Sequence, residues 1–203
     1  MSAVQAELLE LPRYRLRSDT GLVLPLHVER WFDAPEPEEE SVIDRALAPV
    51  LDVGCGPGRH TLALRRRGVR ALGVDVAPGA VRVARRRGVP AVVRSIFDPL
   101  PGDWGSALLL DGNVGIGGDP ARLLRRLREL LRPGGIALLE VEAPGVSIQH
   151  LRVRIEIDGD SGDWFPWAQA GVDGLGDLAR DGGYEVGEVW EGGGRWFARL
   201  DAR

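Results

Sequence analysis

The chain has 203 residues, 44% of them hydrophobic, a formal net charge of −4 and one cysteine. That length suits one domain with a full core, the composition excludes a disordered chain, and a lone Cys55 excludes an internal disulfide. Apolar runs fall far short of the roughly 20 residues a membrane span needs. Residues 1–15 lack a charged-then-apolar signal pattern, so the expectation is a cytoplasmic protein with no membrane partner.

All 26 basic residues are arginine. Arg65-Arg66-Arg67 and Arg85-Arg86-Arg87 end two predicted helices, where cations complement the helix dipole. With a negative net charge and acidic clusters at 36–40 and 156–163, the basic surplus of a nucleic-acid binder is missing, and no such partner is expected.

In chain order, residues 1–40 read as an N-terminal extension or lid, and 41–203 as the main domain with an insertion at about 143–170. Within the extension, Tyr14–Arg17 and Leu22–Leu26 suggest a hairpin around Asp19-Thr20-Gly21, His27–Phe32 a short amphipathic segment, and residues 35–40 a linker. From residue 42 strands and helices alternate. Strands are predicted at 49–54, 71–75, 91–95, 106–110 and 136–141, and helices at 58–67 and 78–87. A further helix starts at the cap Asp119 with Pro120 in its first position. It carries the stripe Leu123, Leu124, Leu127, Leu130 and Leu131 and is expected to stop at Gly134-Gly135.

This alternation implies a doubly wound α/β fold with a mostly parallel sheet and right-handed crossovers. The last third differs. Period-two alternation over 151–158 predicts a half-buried strand, and the aromatic run Trp164-Phe165-Pro166-Trp167 follows. A helix at about 172–181 precedes two strands, Tyr184–Trp190 and Arg195–Asp201, whose short glycine link requires an antiparallel hairpin.

The most informative stretch is Val50-Leu-Asp-Val-Gly-Cys-Gly-Pro-Gly58. A buried strand runs into glycines at alternate positions, Gly54, Gly56 and Gly58, and a helix follows. Missing Cβ atoms let a ligand lie against backbone at a helix N-terminus. The pattern is G-x-G-x-G; Arg59 stands where a dinucleotide-binding G-x-G-x-x-G would need its last glycine. Asp75 ends the second strand, 21 residues after Gly54, where a carboxylate can accept both hydroxyls of a ribose.

These motifs and the closing hairpin resemble class I S-adenosylmethionine-dependent methyltransferases of small molecules, from about residue 48 to the end. The resemblance implies a Rossmann-like, seven-stranded sheet with an antiparallel C-terminal hairpin, S-adenosyl-L-methionine as cofactor and a small-molecule acceptor. It implies a cofactor site of Asp52, Gly54, Cys55, Gly56 and Gly58, then Asp75 and Val76, then Ile96, Phe97 and Asp98 around the adenine, and Asp111 and Asn113 near the methionine part. Asp52 would order the glycine turn through its N–H groups. Cys55 reads as a small residue fitting a crowded turn, and His60 as a helix-face residue.

No triad and no metal-ligand spacing is legible, and the catalytic residues are unassigned. Methyl transfer accounts for that gap, because proximity and the cofactor supply most of the rate. For an oxygen acceptor, His150 or His27 is the base to expect. Two alternatives stand: a non-catalytic S-adenosylmethionine or S-adenosylhomocysteine binder, and, against Arg59, an NAD(P)-dependent oxidoreductase.

Overall fold

The structure, a computed structural model, describes residues 14–26 and 28–203. A hairpin of β1 (Tyr14–Ser18) and β2 (Val23–Pro25) comes first, then a 3-10 turn at Val28–Phe32 and α1 (Pro37–Asp44). The doubly wound part follows with β3 (Val50–Val53), α2 (Arg59–Arg66), β4 (Ala71–Asp75), α3 (Pro78–Arg86), β5 (Ala91–Val93) and β6 (Trp104–Leu109). A 3-10 segment at Asn113–Gly118 leads to α4 (Pro120–Leu130) and β7 (Leu131–Val141). Then come β8 (Gln149–Ile157), β9 (Asp160–Ser161), β10 (Phe165–Gln169), α5 (Leu175–Gly182), β11 (Tyr184–Gly192) and β12 (Arg195–Ala202).

The main sheet has seven strands in the order β5-β4-β3-β6-β7-β12-β11. Strands β3 to β7 pair in parallel, while β12 runs antiparallel to both β7 and β11. The expected parallel sheet closed by an antiparallel hairpin is therefore what forms. Because β4 and β6 flank β3 on opposite sides, the winding reverses there, and the carboxyl ends of β3 and β6 open a crevice.

Side-chain alternation builds a core on each face. Leu51, Val53, Leu109 and Leu139 pack with the leucine stripe of α4 and with Leu178 of α5. Val50, Leu108, Leu110 and Leu138 pack with Val42 and Ile43 of α1 and Leu64 of α2. Central strands buried on both faces explain why their sequences read as continuous apolar runs. Leu123, Leu124 and Leu127 are fully buried, and truncating one of them to alanine costs about 2–5 kcal/mol.

Most boundaries shift by up to three residues; two differ in kind. Helix α4 is capped as expected, with Asp119 accepting the Arg122 N–H at 2.9 Å, but it ends at Leu130 rather than at the glycines. Leu131 is already extended and pairs with Trp104 of β6; Pro133 also disfavours helical backbone at Arg132. The stretch expected to be a linker is helical from Pro37. Its acidic residues sit in the first turn, where they complement the dipole, and Glu36 and Glu39 form a reciprocal capping box.

The second sheet joins parts of the chain that read as separate. Its order is β10-β8-β1-β2, with β9 also on β8, all antiparallel. The N-terminal hairpin thus pairs with the insertion strand, from Tyr14 opposite Ile157 to Ser18 opposite Val153. Among the described residues no helix is long and apolar enough to cross a membrane.

Candidate functional site

The glycine turn leaves β3 at the crevice. Gly54 and Gly56 both have positive φ, +71° and +53°, which L side chains rarely adopt. Their surroundings differ. A Cβ on Gly54 would stand 2.6 Å from Asn113 Nδ2, whereas one on Gly56 would meet nothing within 4 Å. The backbone at Gly56 therefore faces open space, a cradle of the kind a ligand lying on the turn requires. Gly58, at the start of α2, is packed against Val89 and Ala84.

Asp75 ends β4 beside this turn. Its Oδ2 accepts the Gly56 N–H at 2.8 Å and its Oδ1 accepts the Ala77 N–H at 2.8 Å. Each oxygen keeps a further lone pair. The adjacent Val76 is 69% exposed, unusual for valine at a strand end. Next along the crevice, Asp98 closes its own loop by accepting the Ser95 N–H at 3.1 Å. Phe97 is half-buried, under the Arg122 guanidinium at 4.4 Å and against Gly117. Ile96 is 3% exposed and packs into the core.

Two residues flanking the turn hold it in place. Asn113 donates from Nδ2 to the carbonyls of Val53 and Gly54 at 2.9 and 3.1 Å. Asp52 is buried, and its Oδ2 accepts from the Thr61 N–H at 3.1 Å and the Thr61 hydroxyl at 2.6 Å. The partners of Asp52 are thus on the first turn of α2 rather than on the glycine turn itself. Burial pushes the Asp52 carboxyl above its usual range, against the pull of His60 and Thr61. Cys55 is buried with its Sγ against Gly73, and burial pushes the thiol well up, which leaves no thiolate for chemistry.

A buried charge network lies beneath the crevice, and no local sequence pattern announces it. Arg59 is 4% exposed and bonds Glu39 with Nη1 and Nη2 at 2.5 and 2.6 Å. It also grips Asp111 at 2.6 and 2.7 Å. Arg195 binds Glu140 in bidentate fashion, 2.8 Å at each bond, and reaches Glu39 at 2.9 Å. Glu140 in turn accepts the Asp111 N–H at 2.7 Å. His60 is buried too, with Nε2 3.5 Å from Glu39 Oε2, long for a hydrogen bond.

Burial works to raise the Glu39 pKa, but His60 and Arg59 beside it outweigh burial and hold the carboxyl well below the usual range. The network ties α1, α2, the loop after β6, β7 and the terminal hairpin to one point. Its one signal in the sequence is Arg59, standing where a dinucleotide-binding turn needs its last glycine.

The aromatic run enters β10 at Phe165, with Trp164 just before the strand. Phe165 and Trp167 meet edge to face at 6.1 Å, and Arg154 lies 5.0 Å over Trp164. Trp167 lines a small cavity with Leu16, Ser18, Leu151 and Val153 on the antiparallel sheet. Of the expected bases, His150 is exposed with Nδ1 2.7 Å from the Gly118 carbonyl; His27 lies outside the described residues.

Comparison with known proteins gives a consistent picture. Residues 50–135 match a methyltransferase domain family. The chain is 32% identical over 127 residues to a ubiquinone biosynthesis O-methyltransferase of Xanthomonas oryzae, covering 52% of this chain and 53% of that protein. It is 30% identical over 141 residues to a trans-aconitate 2-methyltransferase of Paracidovorax citrulli, covering 66% and 50% respectively. The chain thus spans about half the length of the curated relatives it matches. Among solved structures, a S-adenosylmethionine-dependent methyltransferase from Bacteroides fragilis in complex with S-adenosyl-L-homocysteine aligns with TM-score 0.83 and 26% identity. That alignment covers 97% of this chain and 91% of that one.

Proposed function

From membership of the class I S-adenosylmethionine-dependent methyltransferases, the family to which this chain belongs, we propose that it methylates a small-molecule acceptor with S-adenosyl-L-methionine. The observation that carries this reading is the pairing of Asp75 with Gly56. A carboxylate with lone pairs to spare is fixed 2.8 Å from the N–H of a glycine whose Cβ position is open. That is a ribose-binding acid beside a backbone cradle, on neighbouring parallel strands.

In this reading Gly54, Gly56, Asp111 and Asn113 surround the methionine part, with Asp52, Cys55 and Gly58 shaping the turn from behind. Asp75 takes the ribose hydroxyls. Val76, Phe97 and Asp98 border the adenine, with Ile96 as the core residue beneath them. The cofactor supplies an activated methyl group on a sulfonium; the chain positions it and the acceptor.

The N-terminal hairpin and the 143–170 insertion together form the acceptor-binding unit. Their pairing into one sheet that packs on the Asn113–Gly118 segment supports this assignment. We assign the protein to the cytoplasm. The direct test is calorimetric titration with S-adenosylhomocysteine: saturable one-site binding is expected, and no binding sinks the reading.

A further inference from the structure

The 3-10 segment Asn113–Gly118 starts on the glycine turn, through Asn113 and the carbonyls of Val53 and Gly54. It ends on the antiparallel sheet. There His150 Nδ1 lies 2.7 Å from the Gly118 carbonyl. A carbonyl oxygen only accepts, so Nδ1 carries the hydrogen, and the neutral ring presents a lone pair at Nε2. Gly118 also lies on Pro166: a Cβ on Gly118 would stand 2.8 Å from Pro166 Cβ.

The register sets His150 opposite Ala168 and Arg152 opposite Pro166. Residues directly opposite, and residues two apart on one strand, share a face. His150, Arg152 and Pro166 therefore lie on the face against which Gly118 packs. Farther along that face Arg17 and Arg154 are both engaged by Glu156, each at 2.7 Å. The Arg152 guanidinium makes no hydrogen bond or ion pair with the described residues; Asp19 meets only its backbone, with Oδ1 accepting the Arg152 N–H at 3.2 Å and the Asp19 N–H donating to the Arg152 carbonyl at 2.8 Å. A lone-pair base and an uncommitted cation thus stand with Cα atoms about 7 Å apart, two strand residues.

Resting on the methyltransferase reading above, we propose that the acceptor is a hydroxyl compound bearing an anionic group, with its hydroxyl at His150 Nε2 and its anion at Arg152. As the acceptor oxygen takes the methyl group, its proton passes to Nε2. The carbon–sulfur bond breaks with its electron pair left on sulfur, and the imidazolium then releases the proton to water.

The test uses 3,4-dihydroxybenzoate and its neutral methyl ester, titrated calorimetrically into protein saturated with S-adenosylhomocysteine. The acid should bind roughly 10–150-fold more tightly than the ester, the range for hydrogen bonds to charged groups, and Arg152→Ala should erase the difference. Equal affinity of acid and ester, or no binding of the acid, overturns the proposal. Failure to bind S-adenosylhomocysteine overturns the underlying reading instead.

For the base, His150→Asn keeps a donor for Gly118 and removes the Nε2 lone pair. Turnover of the acid should fall about 100-fold or more, a loss carried by kcat well beyond any weakening of binding. 4-Nitrocatechol, whose hydroxyl ionises more readily, should lose far less. An equal loss on both acceptors, or none, makes His150 structural and overturns its role, as does turnover of amines or thiols but not of this acid.

Discussion

Asp75 accepts the N–H of Gly56 at 2.8 Å, so the acid that ends β4 fixes the middle glycine of the turn that ends β3. One carboxylate thereby shapes the turn and waits beside the space the turn opens. Replacing Asp75 with alanine removes both effects. S-adenosylhomocysteine affinity should fall about 10–150-fold, the loss of roughly 1.5–3 kcal/mol from hydrogen bonds to a charged group. Calorimetry measures it, and unchanged affinity removes Asp75 from the site.

Gly56→Ala and Gly54→Ala should separate folding from binding. Alanine at Gly56 meets open space, so its stability cost is the left-handed backbone alone, about 1–2 kcal/mol. Its methyl group, however, occupies the cradle, so cofactor affinity should drop by more than stability does. Alanine at Gly54 collides with Asn113 as well, adding about 1–3 kcal/mol of overpacking. Chemical denaturation and calorimetry on both variants check the contrast; an equal loss of stability in the two contradicts it.

Glu39 gives a pH-dependent prediction. Arg30, Arg59, Arg195 and His60 all face it. Its folded-state pKa is depressed below the ordinary 4.5. A depressed carboxylate contributes stability that is complete above its unfolded pKa and lost as pH falls toward the folded one. Glu39→Gln should cost about 3–5 kcal/mol at neutral pH by breaking a buried pair. The gap to the parent should narrow as pH falls from 5 to 3, read by urea unfolding at each pH. Parallel stability curves would count against this placement of charge.

That same residue marks where the sequence stops being legible. The strands and helices of the doubly wound half are local patterns: apolar runs at Val50–Val53 and Trp104–Leu109, the stripe from Leu123 to Leu130, a proline and a cap at its start. The glycine turn and Asp75 are legible for the same reason, since each motif lies within one strand–turn–helix unit.

Glu39 reads as part of an acidic linker because its partners are remote, Arg59 on α2 and Arg195 on the terminal hairpin. The union of β1 with β8 is hidden likewise. Both strands alternate apolar and polar residues, but nothing local says that Tyr14 meets Ile157. Ion-pair partners and antiparallel register are facts about distant segments, and only the folded chain states them.

The packing of Asn113 on Gly54 predicts a measurable coupling. Asn113→Ala alone removes donors to the Val53 and Gly54 carbonyls, at 2.9 and 3.1 Å, and should cost about 0.5–1.5 kcal/mol for each bond. Gly54→Ala alone forces its methyl group into the Asn113 amide, 2.6 Å away. In the double variant that amide is gone, so the new methyl group occupies space the truncation has vacated. The collision disappears and only the backbone strain of positive φ remains. The two changes should therefore be non-additive, with the double variant more stable than the sum of single losses by about 0.5–3 kcal/mol. Urea unfolding of the four proteins closes the cycle. Simple additivity would mean that the Asn113 side chain leaves Gly54 at no cost, and that the contact does not hold the turn.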